Sequence, residues 1–154
     1  MNIKVIALDL EGTLISNAMS QIPRPGLLHF LNGCKELVDR VFVYTTVSEP
    51  VFREIARNLV VERYVPDWFG EIEYITREGE TKNLALIPDC QPEEALLVDD
   101  FEIYVHPGQA AQWVQVPFFD TPYPADDKGL CETLDVLQAR VLLLRPLGQI
   151  DALL

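Results

Sequence analysis

Three short apolar runs constrain this chain more than any other feature. Ile3 to Leu8 is interrupted only by Lys4, Val41-Phe42-Val43-Tyr44-Thr45 is β-branched and aromatic throughout, and Ala95-Leu96-Leu97-Val98 is unbroken. Runs that do not alternate with polar residues suit strands covered on both faces, the condition of a parallel sheet. Each run also ends on chemistry: Asp9 follows the first, Thr45 closes the second, and Asp99-Asp100 follows the third.

Between the runs the spacing turns helical. After Pro23, Pro25 and Gly26, residues Leu27, Leu28, Leu31, Leu37 and Val38 predict a helix, and Ser48-Glu49-Pro50 predicts the cap and first turn of another with Phe52, Ile55 and Leu59 on one face. Residues 63–76 are irregular, with a short strand expected at Ile72 to Tyr74. A brief helix is expected over 80–87, then a loop bracketed by Pro88 and Pro92. A short helix from Pro107 to Trp113 and an edge strand from Val114 to Val116 follow, and a closing helix from Leu130 to Leu144 turns Leu134, Leu137 and Val141 inward. Strands alternating with helices predict an α/β fold, a Rossmann-like, doubly wound parallel sheet with helices on both faces. A length of 154 residues predicts one domain spanning 1–154.

A net charge of -12 repels nucleic-acid phosphates, and no basic patch offsets it, so no nucleic-acid partner is expected. The same field opposes a small phosphate ester unless local positive charge is supplied, most simply by a divalent cation. Cys34, Cys90 and Cys131 are odd in number and form no CxxC pair, so they are expected to be buried, reduced thiols and neither a disulfide frame nor a zinc site. The N-terminus lacks the pattern of a signal peptide, and the run Val141 to Leu144 is too short to span a bilayer, so no membrane partner and a cytoplasmic location are expected. The sequence does not specify an oligomeric state.

In open parallel sheets the ligand site lies beyond the carboxyl ends of the strands. Asp9, Thr45, Asp99 and Asp100 are therefore expected at one edge, where converging carboxylates repel and a hard cation bound by oxygen relieves them. Mg2+ is the natural choice. An Asp partly neutralised in this way can attack phosphorus, while a second acid two residues on, Glu11, protonates the leaving oxygen and then activates water. Thr45, Lys82 and loop N–H groups are candidates to stabilise the transferred oxygens.

These residues stand in a known order. Asp9-Leu10-Glu11-Gly12-Thr13 resembles the first motif of the haloacid dehalogenase superfamily, Val43-Tyr44-Thr45 its second, Lys82 its third and Leu96-Leu97-Val98-Asp99-Asp100 its fourth. Residues 24–31 (Arg24-Pro25-Gly26-Leu27 and onward), Tyr44-Thr45-Thr46-Val47-Ser48 and Thr81-Lys82-Asn83-Leu84 resemble the NLI-interacting-factor-like, or RNA polymerase C-terminal-domain, phosphatases. The resemblance implies Asp9 as nucleophile, Glu11 as general acid/base, and Thr45 with Thr46 beside it at the phosphate. It implies Lys82 holding nucleophile and phosphate, and Mg2+ held by Asp9, the Glu11 carbonyl and Asp100, with Asp99 behind or acting through water. Glu11 departs from the branch, which carries Asp there. Its extra methylene must fold back or sit aside, although members resembling the enolase-phosphatases also read DxEGT.

Superfamily members that take small metabolites commonly bury them under a large inserted cap. Here only residues 15–23 follow the first motif, and 49–81 must already hold a helix and a strand, so a capless or minimally capped enzyme is expected. Its substrate would be a phosphopeptide or a phosphorylated small molecule in an open site. The alternatives are a phosphotransferase and a catalytically weak interaction domain. His29 and His106 are read as helix-surface and loop residues. Trp68, Phe69, Trp113, Phe118 and Phe119 are read as core or rim aromatics, with Trp68 and Phe69 as a lesser candidate for a substrate-facing wall.

Overall fold

The computed structural model describes residues 2–143, so position 144 of the expected closing helix lies outside the described residues. Five strands form one all-parallel sheet: β1 (Val5–Leu8), β2 (Arg40–Val43), β3 (Glu73–Tyr74), β4 (Ala95–Asp99) and β5 (Trp113–Gln115). Their spatial order is β3-β2-β1-β4-β5. The chain winds outward from β1 to β3, then returns to the far side of β1 to lay down β4 and β5, so β1 and β4 meet at the point where the winding reverses. A crevice at the carboxyl ends of such a pair is where ligands sit in this architecture. Leu8 pairs with Val43 on one side and Val98 on the other, which brings Asp9 level with the ends of β2 and β4.

The pleat divides the apolar runs between two core clusters. Ile6, Leu8, Val41, Val43, Leu96 and Val98 join the larger one, together with the inward faces of α1 (Leu27–Leu37), α2 (Glu49–Val61) and α3 (Gly129–Leu143). Val5, Ala7, Phe42, Tyr44, Ala95 and Leu97 form the smaller one with Leu84 and Ile87. The cover on this second face comes from a 3-10 turn (Leu84–Leu86) in place of the helix expected over 80–87, because Lys82, just before it, is drawn to Asp9 and Asp99 and its N–H to the Tyr104 carbonyl. The helix expected from Pro107 to Trp113 is likewise a single 3-10 turn (Ala110–Gln112) that leads into the edge strand β5.

Ser48 caps α2 in an extended conformation, with a Pro in the first turn, and Phe52, Ile55, Ala56 and Leu59 face inward. Phe52 meets Phe69 edge-on at 5.8 Å between ring centres. Phe69 is therefore core, and Trp68, partly buried, stacks beneath the Lys35 ammonium at 5.1 Å. Neither forms a substrate wall.

Of the three thiols expected to be buried, only one is. Cys34 is buried, and burial pushes its thiol pKa up; Cys90 is only half-buried and Cys131 is exposed. Leu130, Thr133, Leu134, Leu137 and Val141 occupy the inward face of α3, which turns Cys131 outward. All three thiols are free. No helix among the described residues is long and apolar enough to cross a membrane.

Phe52→Ala would remove a fully buried ring from the α2 contact, and stability should fall by about 3–5 kcal/mol, read as a lower urea midpoint at unchanged slope.

Candidate active site

β1 runs out at Leu8, and the Asp9 N–H still pairs with the Val98 carbonyl at 2.9 Å, which fixes Asp9 at the rim of the sheet beside β4. The chain then turns sharply. Leu10 carbonyl accepts from Thr13, Leu14 and Ile15 N–H groups, and Gly12 takes φ +75°. A Cβ at Gly12 would stand 2.7 Å from the Phe118 ring and 3.0 Å from Asp100 Oδ2, so both space and backbone demand glycine. Ile15 then pairs with Pro23 across a small hairpin that leads into α1.

Within this frame the polar side chains converge. Asp9 is 6% exposed, Asp99 and Lys82 0%. Lys82 Nζ donates to Asp9 Oδ1 at 2.8 Å and to Asp99 Oδ2 at 2.5 Å. Thr13 Oγ1 lies 2.7 Å from Asp9 Oδ2 and 3.3 Å from Asp100 Oδ1. The other Asp99 oxygen accepts from Phe101 N–H at 3.0 Å. Lys82 arrives on the connection between β3 and β4, where its own N–H is held by the Tyr104 carbonyl at 2.7 Å and the Tyr104 ring lies 4.7 Å from Nζ.

Asp9, Asp99 and Asp100 each offer a carboxylate oxygen, and these oxygens lie within 4.8 Å of one another. Three carboxylates against one buried ammonium leave an excess that a divalent cation would cancel. Closely spaced hard oxygens suit Mg2+ better than a soft metal. Asp100 is the least engaged of the three: Lys82 and Phe101 occupy both oxygens of Asp99, Lys82 and Thr13 both oxygens of Asp9, and Thr13 reaches one oxygen of Asp100 at 3.3 Å.

Glu11 stands apart. Its carboxylate is not in the cluster; it accepts from Ala18 N–H in the hairpin at 2.8 Å. Thr45 is buried at the carboxyl end of β2, next to β1, and its hydroxyl accepts from Val47 N–H at 3.1 Å. Thr46 is exposed, and His106 is a half-buried loop residue that shares a hydrogen bond with Thr81. Phe101, 54% exposed, and Phe118, 57% exposed, flank Asp100 and Gly12 as an apolar rim. Thr13, a motif residue with no separate role expected from the sequence, joins two of the carboxylates.

Burial raises the Asp9 carboxyl to about 7 against the opposing pull of Lys82. Burial, then the Asp9 charge, raises Asp99 to about 6. Burial acts to lower Lys82, but the two carboxylates outweigh it and its pKa stands above the ordinary lysine value.

The sequence pattern of the NLI interacting factor-like phosphatases matches residues 4–142, and the chain belongs to that family, a branch of the haloacid dehalogenase superfamily. No curated protein matches it significantly. A solved structure of the fission yeast RNA polymerase II CTD phosphatase Fcp1, an arginine-to-alanine variant bound to beryllium fluoride, is similar with a TM-score of 0.52 at 14% identity. The likeness covers 94% of this chain and 52% of that one, so the chain spans about half the length of that protein, and at such identity it speaks for the fold.

The raised carboxyls set a direction for pH dependence. The folded state holds protons that an unfolded Asp releases at about 3.9, so without metal the contribution of Asp9 and Asp99 to stability is lost as pH rises from there through about 6 and 7. Metal-free thermal melts should show a decline across that window that is smaller in Asp9→Asn. At pH about 7.5, Mg2+ at about tenfold its Kd should raise Tm by roughly 3 °C, and by less near pH 5; equal shifts at both would contradict the assignment.

Proposed function

We propose that the protein is a Mg2+-dependent phosphomonoester hydrolase that works through an aspartyl-phosphate on Asp9. The observation that carries this reading is the fixed orientation of Asp9: Lys82 holds one oxygen and Thr13 the other, at the reversal point of a parallel sheet and beside Asp100. Asp9 and Asp100 would hold the cation with a backbone carbonyl of the first-motif loop. Bound there, Mg2+ would neutralise phosphoryl oxygens and lower the repulsion that otherwise keeps an anionic ester out.

Asp9 forms a bond to phosphorus as the bond from phosphorus to the leaving oxygen breaks, and Glu11 gives that oxygen its proton. Glu11 then takes a proton from water, which attacks the acyl phosphate and returns Asp9. Lys82 keeps the Asp9 carboxylate aligned, and Thr45, whose hydroxyl oxygen is held by Val47 N–H, donates its hydrogen to a phosphoryl oxygen. Thr46, more exposed, borders the same phosphate. Glu11 must first leave Ala18, so proton delivery includes a side-chain rotation. The short hairpin and the apolar rim of Phe101 and Phe118 favour an open site for a phosphopeptide or a phosphorylated small molecule with an apolar leaving group.

The hold of Ala18 on Glu11 also favours a second reading, a catalytically weak interaction domain in which the acid step is disabled. Turnover of an aryl phosphate separates the two. Under the hydrolase reading, chelator and Asp9→Asn each abolish activity, and Glu11→Gln lowers kcat by about 10²–10⁴-fold, most for esters with poor leaving groups. No turnover in the parent protein and none gained with Glu11→Asp would favour the binding domain.

A further inference from the structure

Arg24 is 1% exposed, a charge buried away from the acidic cluster. Its Nε and Nη2 fork onto the two oxygens of Asp127 at 2.7 and 3.2 Å, while Nη1 donates to the carbonyls of Thr13 at 3.2 Å and Gly12 at 3.4 Å. The Phe119 ring lies 5.2 Å from the guanidinium carbon, and Phe119 N–H also donates to the Gly12 carbonyl, at 2.9 Å. A Cβ at Gly129 would stand 2.0 Å from Nη2, so the space beside the guanidinium admits no side chain there. Asp127 is held in turn by Gly129 N–H at the start of α3, at 3.1 Å.

A buried ion pair gains little stability over apolar packing of the same volume, so its placement calls for a reason. Here the two carbonyls it grips belong to the turn that carries the nucleophile. Thr13, held from behind by Arg24, is the residue whose hydroxyl reaches Asp9 and Asp100 from the front. A continuous chain of hydrogen bonds therefore runs from the start of α3 through Asp127, Arg24 and Thr13 to two of the three clustered carboxylates.

We propose that Arg24, locked by Asp127, is a positioning residue: it fixes the Gly12 and Thr13 peptides so that the Thr13 hydroxyl stays on Asp9 and Asp100, tying the nucleophile's orientation to the docking of α3. This rests on the hydrolase reading above. Loss of the grip lets the turn shift, and a displacement near 1 Å is enough to cost about 10²-fold in rate. Arg24 bonds the turn beneath the carboxylates and reaches the rim only through its neighbours Gly12 and Phe119, so the loss falls on kcat far more than on KM.

The test compares Arg24→Met, Arg24→Lys and Asp127→Asn with the parent protein. Turnover of an aryl phosphate is measured well below the melting temperature, and Mg2+ affinity is measured by calorimetry without substrate. The expected result is a folded Arg24→Met protein with kcat lowered about 10–100-fold, KM within about threefold of the parent, and weaker Mg2+ binding, with Arg24→Lys partly rescued. A lower Tm with kcat and Mg2+ affinity unchanged, or a change confined to KM, overturns the proposal. If Arg24→Met does not fold, Asp127→Asn decides: a lower kcat at unchanged KM supports the clamp, and an unchanged kcat overturns it. A parent protein that does not turn over strikes the hydrolase reading instead, and the calorimetric comparison still reads the clamp.

Discussion

The bridge from Lys82 to Asp9 and Asp99 holds the functional end of this molecule together. A buried ammonium needs carboxylates, and two buried carboxylates need a cation; removing one partner of such a set costs about 3–5 kcal/mol because the remainder is left uncompensated. Three separate segments must therefore arrive together: β1 with Asp9, β4 with Asp99, and the connection after β3 with Lys82. The parallel register of β1 on β4 makes this geometrically possible, since Leu8 opposite Val98 sets the two acids at one level. The cost on the second face is a reduced cover, in which Leu84 and Ile87 do the work a longer helix does elsewhere.

Much of this was written in local pattern. The three apolar runs gave strands because covered strands leave no polar alternation to misread, and α1 and α2 followed from their spacing. The elements that came out differently are those whose form is set by tertiary context. Residues 80–87 have helical composition yet make one 3-10 turn, because Lys82 is pulled down to the carboxylates and its N–H to Tyr104. Cys131 looked apolar enough to bury, but the inward stripe of α3 was already occupied by its neighbours.

The site was legible to a similar degree. Asp9, Lys82, Asp99 and Asp100 meet as their order implied, and Thr45 lies buried at the same edge. The side chain of Glu11 could not be foreseen in detail, since the extra methylene allowed it to fold back onto Ala18, a contact that depends on the hairpin's shape. Asp127 carried no signal at all. It lies 103 residues from Arg24, and the second acid of Asp126-Asp127 before a helix reads as an ordinary cap until the buried guanidinium beside it is seen. Charge completes the picture: in a protein at -12, three acids around one lysine leave an excess of negative charge at the site that a cation would balance.

Chemical trapping addresses the central claim most directly. Borohydride converts an acyl phosphate on aspartate to homoserine, and peptide mass spectrometry after quenching turnover with it locates the residue that carried phosphate. Conversion at Asp9, dependent on substrate and on Mg2+, is the predicted result. Turnover accompanied by conversion at Asp99 or Asp100, or at no aspartate, would contradict the account.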